Sequence, residues 1–404
     1  MGKRVVAGGP FVSPSSAKLT AADNIFIGEA ESTLTEFIHD LELGIARKFY
    51  QANERPSLQN TPVPDFSLID MRHYGAMSIQ YSRGCPFNCE FCDIIEIYGR
   101  VPRTKSNEQL LAELDALKDA GWRGMVFIVD DNFIGNKKNV RLLLPALLEW
   151  SRQNGEPFKF ITEASLNLAE DDVLLKLMQD TGFKRVFLGI ETPVEESLKL
   201  TKKAQNTKRD LLDSIKKIQG YGLEVMGGFI VGFDNDPDDI FELQMNFIRE
   251  SGIPLAMVGL LSALPDTQLW RRLSKEGRLL DETSGNNTDC SLNFIPKMDK
   301  EKLVNGYKAL LQNIYSPKEY YTRVLTFLSR SRQGERGVRR GDLKDDLRSF
   351  LKLIVTLGVQ DRARLHFWRY FYKLVRFYPR NFAHGLTLAA MGYHFRLITE
   401  KYTA

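Results

Sequence analysis

Six near-continuous apolar runs, alternating with amphipathic helical segments between Met77 and Leu261, leave this chain few folds to choose from. The runs are 76–81, 125–129, 158–162, 186–190, 225–231 and 255–261. Between the first two, Ser106 with Gln109 makes a capping-box start, Leu110, Leu111, Leu114 and Leu117 keep helical spacing, and Gly121 supplies the stop. Helical patterns follow at 137–152, with Pro145 expected to bend it, and at 171–179, 195–203, 209–219 and 237–250. Strands that are apolar on both faces are covered on both faces, and βα crossovers are right-handed. The pattern therefore predicts an α/β fold: an incomplete parallel (β/α)6 barrel with its chemistry at the strand C-termini.

At the end of the first run, Cys85, Cys89 and Cys92 stand at C-x3-C-x2-C spacing, and the only other cysteine is Cys290. Three thiolates on one short loop suit a soft metal centre. A four-iron cube held by three of them keeps its fourth iron open. The alternatives are a disulfide with a spare thiol, or zinc completed by a distant group. None of His39, His73, His366, His384 or His394 lies at a zinc-ligand spacing, and the opening residues lack an apolar signal core. A reducing, cytoplasmic compartment is the expectation, which argues against a disulfide.

With Phe91 immediately before the third cysteine, this loop resembles the signature of the radical S-adenosylmethionine (SAM) enzymes. The wider run 78–85, followed by Asp93-Ile94-Ile95, is similar to the cobalamin-dependent branch, and within it to the bacterial group that includes the hopanoid 2-methylases and has a C-terminal helical extension. The resemblance implies a 4Fe-4S cluster on Cys85, Cys89 and Cys92. Its open iron is chelated by SAM, and an electron from it cleaves SAM to methionine and a 5'-deoxyadenosyl radical. The resemblance further implies cobalamin-dependent C-methylation of a small, hydrophobic substrate of the isoprenoid or lipid kind, with a reductant such as flavodoxin or ferredoxin. Radical rearrangement or oxidative cyclisation without methyl transfer, and a truncated non-catalytic cluster-binding protein, stay open as alternatives.

The strand ends carry polar groups that match this family's SAM contacts. Asp130, Asp131 and Asn132 end the second run, where the family holds the SAM amino group; Glu163 and Ser165 end the third, and Glu191 the fourth. Gly228 and Ile230 match an element that lets backbone lie flat against adenine, although Asn235 stands where an acidic residue usually closes it. Glu191 has a plainer reading as the partner of Arg185 or a nearby lysine. Arg100, Arg103 and Lys105 could hold a carboxylate or phosphate. Cys290 reads as a structural or incidental thiol.

Residues 1–53 resemble the last third of a cobalamin-binding domain, a partial doubly wound β/α module. One strand leads to Gly8 and Gly9, a second (24–29) to Gly28 and Glu29, and a helix spans 33–43. The lower-ligand histidine motif is absent, and a truncated start is the expectation. Proline-rich residues 54–70 read as a linker, 71–285 as the barrel and 286–404 as a helical domain.

A formal net charge of only +4 gives no signature for nucleic acid. The charge is uneven, however. Residues 323–380 hold 15 Lys and Arg against 5 Asp and Glu. Within them Leu365, Trp368, Tyr372 and Val375 share a helical face, widened by Phe367, Phe371 and Phe377, beside Arg364, Arg369, Lys373 and Arg376. The leading expectation is a helical cap whose aromatics pack on the barrel. The alternative is an interfacial helix in peripheral contact with anionic lipid.

Overall fold

In the computed structural model, which describes residues 3–15, 19–52, 54–280, 290–331 and 343–403, the chain opens on a small parallel sheet. Strands β1 (Val6–Ala7), β2 (Asn24–Ile27) and β3 (Phe49–Gln51) lie in that order, with helices α1 (Val12–Ser15) and α2 (Leu34–Glu42) between them. Phe26, Phe37 and Tyr50 form its core, with ring centroids 5.2–5.5 Å apart. Strand β3 was not expected, because Tyr50 is its one buried residue and gives no run to read.

The proline-rich segment is held along the barrel. Leu58 and Phe66 are buried, and Gln109 donates to the Leu58 and Thr61 carbonyls at 3.1 and 3.4 Å.

The barrel then runs β4 (Met77–Ile79), β5 (Ser82–Arg83), α3 (Ile94–Ile97), β6 (Arg103–Thr104), α4 (Asn107–Asp119), β7 (Gly124–Ile128), α5 (Lys137–Gln153), β8 (Phe158–Ala164) and α6 (Asp172–Thr181). It continues through β9 (Phe183–Glu191), α7 (Glu195–Leu200), α8 (Leu211–Gly220), β10 (Glu224–Val231), α9 (Ile240–Ser251), β11 (Leu255–Leu260) and α10 (Gln268–Lys275). Six of these strands form one sheet ordered β4-β7-β8-β9-β10-β11, every neighbouring pair parallel. Sheet order follows chain order, as repeated right-handed βα units dictate. Ser106 and Gln109 form the expected capping box, and α5 continues through Pro145.

Strand β11 is an edge on which α11 (Lys300–Ile314) packs, and α12 (Pro317–Arg330), α13 (Leu343–Leu353), α14 (Arg364–Phe377) and α15 (Phe382–Thr403) complete the C-terminal region, α14 resting on α12 and α15 rather than on the strand. Tyr315 and Tyr307 donate their hydroxyls to the Ala256 and Val258 carbonyls at 2.7 and 3.1 Å, taking the place of a further strand. Fully buried Arg323 donates to the carbonyls of Ile253, Pro254 and Ile314. Helices α12 and α15 meet closely at Gly392, where a Cβ would fall 2.1 Å from the Tyr320 ring. At the N-terminal end of β10, Glu224 receives Arg185 at 3.0 Å and His384 of α15 at 2.6 Å. Burial alone would raise the Glu224 carboxyl, but its two partners hold it down to about 2.

The expected boundary at 285/286 and the basic residues 332–342 lie outside the described residues. Among the described residues, no helix is long and apolar enough to cross a membrane.

Candidate active site

The cysteines lie on the loop that leaves the first barrel strand, closed at its base by the short antiparallel pair β5–β6. Gly84, at φ +95°, makes the turn before Cys85, and a Cβ there would sit 2.9 Å from the Gly99 carbonyl. The loop is clamped from the neighbouring strand end. Asp130 accepts the Tyr81 N–H at 2.7 Å and the Ser82 hydroxyl at 2.6 Å, and Asp131 accepts the Gly84 N–H at 3.0 Å. Asn132 donates to Cys85 Sγ at 3.7 Å and accepts the Ser165 N–H at 3.2 Å. The three polar residues expected at this strand end thus hold the cysteine loop. Burial pushes the Asp130 carboxyl up to about 7. Glu163, half-buried beside them, is pushed to about 7 by burial and by the charges of Asp131 and Asp130.

The loop is gripped from the other side by residues that sequence reading did not single out. Gln205 donates to Cys89 Sγ at 3.5 Å, and the Glu90 N–H donates to the Thr201 carbonyl at 2.9 Å. Arg272 of α10 pairs with Glu90 at 2.6 Å and with Asp234 at 2.9 Å. Buried Lys203 pairs with Glu191 and lies 5.8 Å from the Phe91 ring centroid. Burial disfavours the Lys203 ammonium, but the charges of Glu191, Cys89 and Cys92 overcome this and hold it protonated. Glu191 is therefore a partnered carboxylate, and the lysine rather than Arg185 is its partner. A charged residue inside the cysteine loop, Glu90, was the available signal that a cation packs behind it.

Glu191 stands at a β-bulge. Gly228 pairs with Gly189, but Phe229 pairs with Glu191, and Glu191 has φ +67°. Asn206 secures the bulge by donating to the Gly189 and Ile190 carbonyls, both at 3.0 Å. A Cβ on Gly189 would fall 2.5 Å from the Glu191 carboxylate, and one on Gly228 would fall 2.8 Å from the Phe187 ring. The two glycines keep this wall of the barrel low. Asp236, one residue beyond Asn235, closes the glycine turn by accepting the Gly232 and Phe233 N–H groups at 2.8 and 3.0 Å.

The basic residues expected to hold an anion are otherwise occupied. Arg103 pairs with Glu29 and Lys105 with Glu113, because each is drawn beside a buried carboxylate; Arg100 donates to the Pro86 carbonyl. Glu29 receives Arg83 and Arg103 together, at 2.7 and 2.6 Å. Its side chain thus staples the N-terminal module to the cysteine loop. Gly8 follows β1 against Phe26, Gly28 follows β2 at φ +83°, and Gly9, at φ +107°, has open space where a Cβ would stand. Cys290 donates to the Tyr402 carbonyl at 3.6 Å.

The donor set suits a cluster. All four cysteines are free thiols, and among the described residues no three His, Cys, Asp or Glu side chains, the cysteine triplet included, stand close enough to hold a metal ion. Burial pushes the Cys92 thiol up to about 12 and also raises Cys85. Amide donors on two of the sulfurs, with an ammonium nearby, match what thiolates around an anionic cluster require.

A half-barrel of parallel strands with a three-cysteine loop at the C-terminal end of its first strand defines the class to which comparison with known proteins also leads. The family model for the radical SAM superfamily matches residues 79–248, and a domain of unknown function, DUF4070, matches 267–404. Over 398 residues the chain is 44% identical to an uncharacterized methyltransferase of Synechocystis, covering 98% of this chain and 74% of that protein. Over 376 residues it is 36% identical to the hopanoid C-2 methylase of Rhodopseudomonas palustris, covering 91% and 70%. In fold it is similar to the cobalamin-dependent SAM radical enzyme OxsB with aqua-cobalamin and SAM bound (TM-score 0.59, 17% identity, 98% of this chain and 66% of that one). It is likewise similar to the radical SAM methyltransferase TsrM from Kitasatospora setae with cobalamin and a 4Fe-4S cluster bound (TM-score 0.56, 15% identity, 70% and 61%). The chain spans under two thirds of either solved structure. It belongs to the radical SAM superfamily, in the group of methyltransferases that includes hopanoid C-2 methylase.

Proposed function

We propose that this chain catalyses cobalamin-dependent methylation of an unactivated carbon on an apolar substrate. The observation that carries the reading is a cavity of about 360 Å³ on the open side of the barrel. Phe91, Glu191, Gly228 and Ile230 border it on the side of the cysteine loop, and Met257, Leu311, Phe395 and Ile398 form much of the far wall. A largely apolar pocket that adjoins the cluster loop suits a substrate offering C–H bonds and little charge.

When bound, a 4Fe-4S cluster with SAM supplies the 5'-deoxyadenosyl radical and cobalamin the methyl group; the protein supplies position and exclusion of water. Cys85, Cys89 and Cys92 would hold the cluster, and Asn132 and Gln205 orient two of those sulfurs. Gly228 and Ile230, both on the cavity wall, would meet the adenine. Asp131, Glu163 and Ser165 edge the barrel mouth, where the ammonium and ribose of SAM are to be met. Gly8, Gly9 and Gly28 would take the tail of the corrin, on a module that Glu29 fixes to the cysteine loop. A low-potential flavodoxin or ferredoxin is the reductant this chemistry calls for.

The test is anaerobic reconstitution with iron, sulfide and hydroxocobalamin, gel filtration, then incubation with methyl-deuterated SAM, a reductant and an apolar cell extract. Comigration of corrin and cluster with the protein, and label in an apolar product, support the reading. Formation of 5'-deoxyadenosine with no label in any product would instead favour rearrangement or cyclisation.

A further inference from the structure

Helix α14 has two apolar faces. Phe367, Tyr370 and Leu374 are buried, and Tyr370 stacks on Tyr321 of α12 with centroids 4.6 Å apart. On the opposite side, Leu365 is 69% exposed, Trp368 40%, Tyr372 65% and Val375 49%. At 100° per residue these four cover an arc of about 80°, and Arg369, Lys373 and Arg376 fall directly beside it. Of the stripe expected to pack on the barrel, Phe367 is buried and Phe371 half-buried, while Leu365, Tyr372 and Val375 are left bare.

The preceding helix repeats the pattern. Leu347, Leu351, Val355 and Val359 are exposed at four-residue intervals along α13 and the π-helical segment Ile354–Gln360 that continues it. Trp368 joins the two helices, donating its indole N–H to the Gly358 carbonyl at 2.9 Å, and Phe350 and Phe371 both pack on Phe382. Across the hairpin, residues 343–377, the sequence holds eight Lys and Arg against three acidic residues, Asp345, Asp346 and Asp361, and Arg396 neutralises the last.

We propose that this α13–α14 hairpin is a docking surface for an anionic lipid bilayer. Exposed apolar surface of this extent marks an interaction site. An apolar ridge flanked by an excess of cations complements phospholipid headgroups above acyl chains. The surface does not depend on what the barrel methylates.

Flotation of the full chain with vesicles tests this, using phosphatidylcholine alone and phosphatidylcholine with about a third phosphatidylglycerol. The wild type floats with the anionic vesicles at least tenfold better than with the neutral ones, and raised salt weakens it. Leu365→Glu with Tyr372→Glu abolishes flotation; Arg369→Glu with Lys373→Glu lowers it more than tenfold, at about fivefold per charge lost. These positions are exposed, so unchanged melting and cluster content would show that the fold survives. Failure of the wild type to float, equal flotation of the Leu365→Glu/Tyr372→Glu variant, or concentration-dependent self-association lost in that variant without lipid binding would each overturn the proposal.

Discussion

Lys203 and Glu191 form a buried ion pair behind the cysteine loop, with the ammonium near Phe91 and close enough to feel the charges of Cys89 and Cys92. The pair joins the β9 bulge to the segment following α7, so one contact fixes both the strand-end carboxylate and a cation facing the cluster ligands. Lys203→Met leaves Glu191 buried and unpaired. It should lower unfolding stability by about 3–5 kcal/mol, and Lys203→Met/Glu191→Gln should recover most of the loss. In reconstituted Lys203→Met the cluster potential should fall by about 100 mV, the size of one unit charge at roughly 7 Å and an effective dielectric near 20. Denaturant melts and an EPR-monitored redox titration check the two effects separately.

Asp130 predicts the opposite kind of pH dependence from most carboxylates. Its folded-state pKa is raised to about 7, so ionisation costs stability as pH climbs from about 4 to 7. Asp130→Asn keeps an acceptor for the Tyr81 N–H without the buried charge. At pH 8 it should be more stable than wild type by about 2–4 kcal/mol, and the gap should close near pH 4. Thermal melts across that range decide it.

Glu224 has the opposite sign. Arg185 and His384 hold its carboxyl down to about 2, so its contribution is complete above about pH 4.5 and is lost as pH falls toward 2. Glu224→Gln should cost about 3 kcal/mol at pH 7. Hydrogen exchange should show the loss first at the His384 end of α15.

Ile398 lines the cavity from α15, within the domain of unknown function. Ile398→Trp should fill the pocket while leaving the cysteine loop untouched. Methylated product should drop more than tenfold, with 5'-deoxyadenosine formation retained and now uncoupled. Coupled loss of both, with the cluster intact, would place the cavity's role at SAM binding.

The barrel was legible because its strands are apolar on both faces, and the cysteine triplet because three soft ligands in eight residues have few other uses. Less legible was everything that depends on residues far apart in the chain. Gln205 reaches Cys89 across 116 residues, and Arg103 reaches Glu29 across 74, so neither spacing reads as a motif. The basic loop looked free to bind an anion because its partners, Glu29 and Glu113, lie on other elements. In α14, both apolar arcs keep helical spacing; periodicity identifies a face without saying whether protein covers it.

The most direct test of the central reading is reductive SAM cleavage by the anaerobically reconstituted chain, with iron, sulfide and 5'-deoxyadenosine measured on the same sample. About four irons per chain are expected, with 5'-deoxyadenosine formed only in the presence of reductant. Both should be lost on Cys85→Ser, Cys89→Ser or Cys92→Ser, and both retained on Cys290→Ser. A fully loaded cluster that cleaves no SAM, or a cluster that survives those three substitutions, would contradict it.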